Sequence, residues 1–150
     1  AQFKQQLGEV LDLYVVLQEA LAGDNFQSAK EASKKLGWAI KRVEVHVLQG
    51  EAHVISMKAL ELLTAGLGKI LEAKDITHMR NGFEPLSVGM ALAVAKLGVR
   101  TEGAIFELSC PMAFENKGAT WLQKDTDIRN PYFGSVMAKC GEVRRQLKAE

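Results

Sequence analysis

Residues 3–24 read FKQQLGEVLDLYVVLQEALAGD, and the spacing of their apolar side chains decides how the first part of the chain folds. Large apolar residues recur at every third or fourth position, at Phe3, Leu7, Val10, Tyr14, Leu17 and Leu21. This spacing puts them on one face of an α-helix. Gly23 is a typical helix terminator and Asp24 a typical capping residue, so the stretch predicts one helix ending at Gly23 and a second capped by Asp24.

The same periodicity continues outward through three further segments. The second apolar stripe ends before Gly50, the third runs from Glu51 to Ala73, and the fourth follows Asp75, another typical capping residue. Long helices with short connections most simply pack as antiparallel neighbours. The sequence therefore predicts an all-α fold: an up-down four-helix bundle with a C-terminal metal-site loop and a short fifth helix. We expect one domain over residues 1–150, with a four-helix scaffold in 1–98 and the Cys/Met loop and last helix in 99–150.

Composition excludes several classes of function. The 19 Lys and Arg residues are balanced by 18 Asp and Glu, which leaves a net charge of +1. Without a strong field of one sign, nothing favours binding to nucleic acid or to an anionic membrane. Apolar runs are interrupted before the roughly 18 residues that a membrane span needs, so no span is predicted. A start inside a helical pattern, without Met, fits a mature secreted protein or a domain of a longer one.

The sulfur-containing residues of the C-terminal part form two pairs. Cys110 and Met112 lie two residues apart at the end of a β-prone, glycine-punctuated segment, and Met137 and Cys140 lie three apart. Asn130 and Pro131 are typical of a helix N-cap and first helical position, so a last helix is predicted to carry Val136, Cys140, Val143 and Leu147. Both spacings place the two sulfurs of a pair on a common side. The sequence thus predicts two half-sites that could meet.

Thiolate and thioether sulfurs are soft ligands, which hold monovalent copper or silver better than oxygen-preferring ions such as magnesium. Zinc fits less well, because the histidines (His46, His53 and His78) are scattered over the helical segments. Three other interpretations remain open on spacing alone. The methionines fill the core, the cysteines form a structural disulfide, or one cysteine is a nucleophile, for which no local base is visible.

Several stretches carry a resemblance to a known family. CPMAFENKGATWLQ (110–123) followed by IRNPYFGSVMAKCGEV (128–143) resembles the signature of a helical domain of periplasmic heavy-metal efflux proteins. That domain occurs at the C-terminus of copper/silver-type membrane-fusion adaptors and as separate secreted proteins. YVVLQEALAGDNFQSAKEASKKL (14–36) and MRNGFEPLSVGM (79–90) are similar to its first hairpin and fourth helix.

The resemblance implies a helical bundle in the periplasm that binds Cu(I) or Ag(I) and has no enzymatic activity. The partners it implies are the adaptor or pump components of a resistance-nodulation-division efflux system. The family's sulfur motif falls on Cys110, Met112, Met137 and Cys140 of this sequence, which are the expected metal ligands. In that interpretation the two thiolates bind the ion, and the two thioethers complete or alternate in its coordination.

Overall fold

The computed structural model describes residues 2–149 and is mostly helical. Its four long helices are α1 (Gln2–Ala22), α2 (Phe26–Lys41), α3 (Glu51–Glu72) and α4 (Ile76–Leu97). Helix α1 packs mainly on α2, and α3 packs mainly on α4, so the helices form two hairpins. The prediction of four long helices in a bundle is confirmed, and none of the helices within residues 2–149 is long and apolar enough to cross a membrane.

Helix boundaries follow from capping side chains. Asp75 caps α4 as predicted, because its carboxylate accepts a hydrogen bond from the backbone N–H of His78 at 2.9 Å. The prediction for α2 was wrong by one residue, since its N-cap is Asn25, whose side chain accepts from the backbone N–H of Ser28. Asp24 instead has a positive φ of 58° in the α1–α2 turn. Its carboxylate is therefore free to bind another part of the molecule.

Glycines allow α3 and α4 to approach closely. A Cβ built on Gly66 would lie 2.6 Å from the carbonyl oxygen of Gly82, and one built on Gly82 would lie 2.7 Å from that of Gly66. These distances are too short for any side chain, so the two backbones are in direct contact at this level. Buried side chains such as Leu63, Ile70 and Phe83 fill the rest of the interface.

The expectation of an all-α fold was wrong, because the C-terminal part forms a three-stranded antiparallel sheet. Its strands are β1 (Ile105–Cys110), β2 (Ala119–Gln123) and β3 (Glu142–Leu147), in the order β2-β1-β3. Strand β1 pairs Cys110 with Ala119 of β2 and Ser109 with Glu142 of β3. The region that the sequence predicted as a loop is therefore built around a sheet.

The predicted fifth helix is absent from the described residues and is replaced by a short 3-10 helix (Gly134–Met137) followed by strand β3. Two glycines with positive φ explain the difference: Gly134 has φ of 60° and Gly141 has φ of 147°, and neither value continues an α-helix. Pairing of β3 with the buried central strand then satisfies backbone groups that a short, exposed helix would have left to water. The spacing of Val143 and Leu147 was therefore wrongly interpreted as that of a helix.

Aromatic side chains join the sheet to the helices. Tyr14 of α1 stacks on Phe83 of α4 at 5.0 Å between ring centroids, and Phe83 contacts Tyr132, which in turn meets the edge of Trp121 of β2. The Tyr14 hydroxyl also accepts a 3.1 Å hydrogen bond from the backbone N–H of Leu122. Burial raises the pKa of Tyr14 well above its usual range, so this hydroxyl stays protonated. One continuous core therefore includes both the helices and the sheet.

Candidate functional site

The two cysteines are in contact. Their Sγ atoms lie 3.2 Å apart, and both side chains are free thiols. This distance is longer than the roughly 2.05 Å of a disulfide bond and close to that of a thiol–thiol hydrogen bond. Residues 30 apart in sequence thus come together at the end of the central strand.

Strand pairing fixes the position of Cys110. It is the last residue of β1, completely buried, and paired with Ala119 across the hairpin that joins β1 to β2. The hairpin turn contains three consecutive residues with positive φ, namely Phe114, Glu115 and Asn116. Gly118 then returns the chain, and its N–H donates to the carbonyl oxygen of Ala113. Cys110 is therefore held by a rigid strand next to a strained turn.

Asn130 fixes the position of Cys140. The buried Asn130 amide donates from Nδ2 to the carbonyl oxygen of Cys140 at 2.8 Å, and its Oδ1 accepts from the N–H groups of Tyr132 and Phe133. The Asn130 backbone N–H also donates to the carbonyl oxygen of Ala138. Together these hydrogen bonds join the two ends of the loop from residue 130 to residue 140. The prediction that Asn130 is the N-cap of a helix was wrong, because no helix begins at Pro131; its side chain instead accepts from two N–H groups of a turn and donates to Cys140.

Both predicted methionines lie near the ends of this site in sequence, but with different exposure. Met112 follows Cys110 and Pro111 at the start of the hairpin turn, and its side chain is 50% exposed. Met137 ends the short 3-10 helix and is partly buried, and its carbonyl oxygen accepts a 3.1 Å hydrogen bond from the N–H of Cys140. Met112 and Met137 thus lie two and three residues from the cysteines along the chain, and their role as ligands stays a prediction.

The contact between the cysteines also makes the Cys140 thiol a weaker acid. The hydrogen bond with Cys110 raises the pKa of the Cys140 thiol, and burial and repulsion from a charged Cys110 raise it further. A second thiolate is therefore disfavoured unless a cation enters between the sulfurs. A soft metal ion would supply that positive charge and displace both protons.

A second set of contacts, which the sequence did not reveal, anchors the Cys140 loop to the helices. Arg80 of α4 donates from Nε to the carbonyl oxygen of Pro131 at 2.8 Å and from Nη2 to Asp24 at 2.8 Å. Asp24 also accepts hydrogen bonds from both the N–H and the hydroxyl of Ser135. These bonds, chiefly the one from the Ser135 hydroxyl, hold the pKa of Asp24 below its usual value. Because the partners are far apart in sequence, no local pattern could have indicated this network.

Other metal ligands do not gather in the described part of the chain. Within residues 2–149 no group of three or more His, Cys, Asp and Glu side chains is placed to hold a metal ion. His78 pairs with Asp75 at 2.8 Å, and His46 and His53 lie on either side of Gly50. A metal ion at the cysteines would therefore depend on the thiol pair and on methionine sulfur.

Comparison with known families finds one match. A family model described as Protein of unknown function (DUF3347) matches residues 10–102, which span most of α1 through α4. No curated protein and no solved structure matches the chain. The matched part ends before β1, so Cys110, Met112, Met137 and Cys140 all lie outside it. The description names no activity, metal or partner.

Proposed function

This chain belongs to the DUF3347 family, and we propose that this member is a periplasmic, non-enzymatic domain that binds Cu(I) or Ag(I) for a heavy-metal efflux system. The observation that carries the proposal is the 3.2 Å contact between Cys110 Sγ and Cys140 Sγ. The resemblance of the C-terminal motifs supports the location and the partners, which would be adaptor or pump components of a resistance-nodulation-division system. Met112 and Met137 would complete the sulfur ligand set.

The geometry of the pair supports metal binding after a small adjustment. With metal–sulfur bonds of about 2.3 Å, two thiolates on one ion are roughly 3.8 to 4.6 Å apart, depending on the angle at the metal. The sulfurs would therefore have to separate by about 1 Å to admit an ion. Cys110 is fixed in a strand, whereas Cys140 lies in a loop and is partly exposed. We expect the Cys140 loop to make this movement.

Anaerobic titration of the reduced protein with Cu(I), against a bicinchoninate-type competitor, tests the proposal. The wild type should take one ion per chain from the competitor. Cys110→Ala and Cys140→Ser should each bind far more weakly, because each removes one thiolate and its negative charge. Circular dichroism of the apo variants shows whether they fold. Affinity equal to wild type in either folded variant would rule out a two-thiolate site.

The same contact favours one alternative, a structural module of an efflux adaptor with a Cys110–Cys140 disulfide. Closing this loop of about 30 residues would stabilise the fold by about 3.5 kcal/mol on chain-entropy arithmetic. In this case the bundle would serve protein contacts and not metal binding. Counting thiols in native protein isolated from its own compartment separates the two, because two free thiols favour the metal site and none favours the disulfide.

A further inference from the structure

The two cysteines differ in accessibility although their sulfurs are in contact. Cys110 is 0% exposed at the end of β1, where strands β2 and β3 flank it. Cys140 lies in the loop before β3 and is partly exposed. A reagent from solution can therefore approach the sulfur of Cys140 and not that of Cys110. This asymmetry gives the two thiols different roles in any reaction with a solute.

We infer that Cys140 is a site of thiol–disulfide exchange with small-molecule disulfides, and that Cys110 resolves the mixed disulfide formed there. The inference uses the same pair of thiols as the proposed metal site but does not require that the pair binds a metal ion. It assigns the first attack to the accessible sulfur and the second to the buried one.

The reaction balances with a small disulfide, R–S–S–R, as the oxidant. The Cys140 thiolate attacks one sulfur of the disulfide, forming a Cys140–S–S–R bond while one R–S⁻ leaves and takes up a proton. Cys110, as the thiolate, then attacks Cys140 Sγ, so that the bond between the cysteines forms and the second R–S⁻ leaves. Two protein thiols are oxidised and one small disulfide is reduced to two thiols.

The structure favours attack of Cys110 on the mixed disulfide over attack by another thiol. Cys110 Sγ is already in contact with Cys140 Sγ at 3.2 Å, so resolution needs little movement of the chain. Asn130 holds the Cys140 loop through its bond to the Cys140 carbonyl oxygen. The sequence contains only these two cysteines, so no other thiol of the same chain competes. The mixed disulfide should therefore be short-lived in the wild type.

The test uses reduced, metal-free protein with a chelator and an excess of oxidised glutathione, with samples quenched in acid and measured by intact mass and peptide mapping. In the wild type, the earliest glutathione adduct should lie on the Cys140 peptide and be replaced by an intramolecular disulfide. Cys110→Ala should accumulate the Cys140 adduct and stop there. Cys140→Ser should react at least about tenfold more slowly than wild type, because the remaining thiol is buried.

Peptide mapping of the wild type keeps the test valid if a variant misfolds. An early adduct on Cys110, or rapid reaction of folded Cys140→Ser, would overturn the assignment of roles. A wild-type adduct that persists on Cys140 would overturn the resolving role of Cys110. As a control for burial, both thiols should react in denaturing urea. Because no metal is present, a negative result here would leave the Cu(I) titration standing, and a failed titration would leave this result standing.

Discussion

The side-chain amide of Asn130 donates a 2.8 Å hydrogen bond to the backbone carbonyl oxygen of Cys140. Asn130 is completely buried, and its other side-chain atom accepts from two backbone N–H groups at the start of the same loop. One side chain therefore ties both ends of the loop together. We expect the position of Cys140 relative to the strand that carries Cys110 to depend on this bond.

Asn130→Asp should loosen the loop without changing side-chain size. The carboxylate retains an acceptor for the N–H groups of Tyr132 and Phe133, but it has no donor for the Cys140 carbonyl oxygen. Leaving that oxygen unpaired should lower the free energy of unfolding by about 1–3 kcal/mol, and charge burial adds to the cost. Urea unfolding measures this change in the free energy of unfolding. Asn81→Asp on the exposed face of α4 is the matched control and should change stability little.

Local patterns predicted the parts of this molecule that depend on local interactions. Helix periodicity located α1 to α4, and Asp75 was recognised as a cap, since these depend on residues within one or two turns. Strand β3 was missed because Val143 and Leu147, four residues apart, fit a helix as well as a strand. Its true conformation depends on pairing with β1, some 35 residues away. The meeting of Cys110 and Cys140 was anticipated, but the Arg80–Asp24–Ser135 network that anchors their loop depends on long-range contacts that no spacing indicates.

Gly134→Ala should destabilise the protein more than a positive φ alone explains. Gly134 has φ of 60°, and a Cβ there would collide with the side chains of Asp24 and Arg80. Gly50→Ala is the matched control, because Gly50 has φ of 63° and an added Cβ would meet nothing within 4 Å. The control should cost about 1–3 kcal/mol from backbone strain alone, because Gly50 combines its positive φ with a ψ of −136°, which is outside the left-handed helical region. Urea unfolding should show a clearly larger loss of unfolding free energy for Gly134→Ala than for Gly50→Ala. Equal losses would mean that the side chains of Asp24 and Arg80 move aside without an energetic cost.

Gly66→Ala and Gly68→Ala should have opposite effects although both lie in α3. A Cβ on Gly66 would press on the backbone of α4 at Gly82, so the hairpin must separate and stability should fall by at least about 2 kcal/mol. Gly68 is exposed, and an added Cβ there would meet nothing within 4 Å. Alanine at that position should raise stability by about 0.5–1 kcal/mol through helix propensity. Thermal unfolding of both variants measures the contrast, and a loss at both positions would contradict it.

The stabilising effect of Asp24 should disappear in acid. Hydrogen bonds from Ser135 and Arg80 lower the pKa of Asp24 in the folded state below its ordinary value of 3.8. The carboxylate therefore stabilises the fold above that value, and the effect is lost as pH falls below it. Its side chain is 40% exposed, so the contribution at pH 7 should not exceed about 1 kcal/mol.

Asp24→Asn measures this effect, because asparagine also tolerates the positive φ of this turn. Its free energy of unfolding should be lower than that of the wild type at pH 7, and the difference should shrink towards pH 3. Glu31→Gln is the matched control, because it removes one negative charge from the exposed face of α2, outside the Arg80–Asp24–Ser135 network. A difference for Asp24→Asn that is independent of pH would show that the ionised carboxylate is not the stabilising species.

Replacing methionine by leucine should show whether the thioethers bind the ion. Leucine keeps volume and apolarity, so Met112→Leu and Met137→Leu should each cost less than about 1.5 kcal/mol of apo stability. If the sulfurs are ligands, Cu(I) affinity should fall by about tenfold or more, equivalent to about 1.4 kcal/mol. Met79→Leu is the matched control, since Met79 is fully buried in α4. Because thioethers carry no proton near neutral pH, the pH dependence of binding should remain that of the cysteines. Unchanged affinity in both variants would leave a site of two thiolates alone.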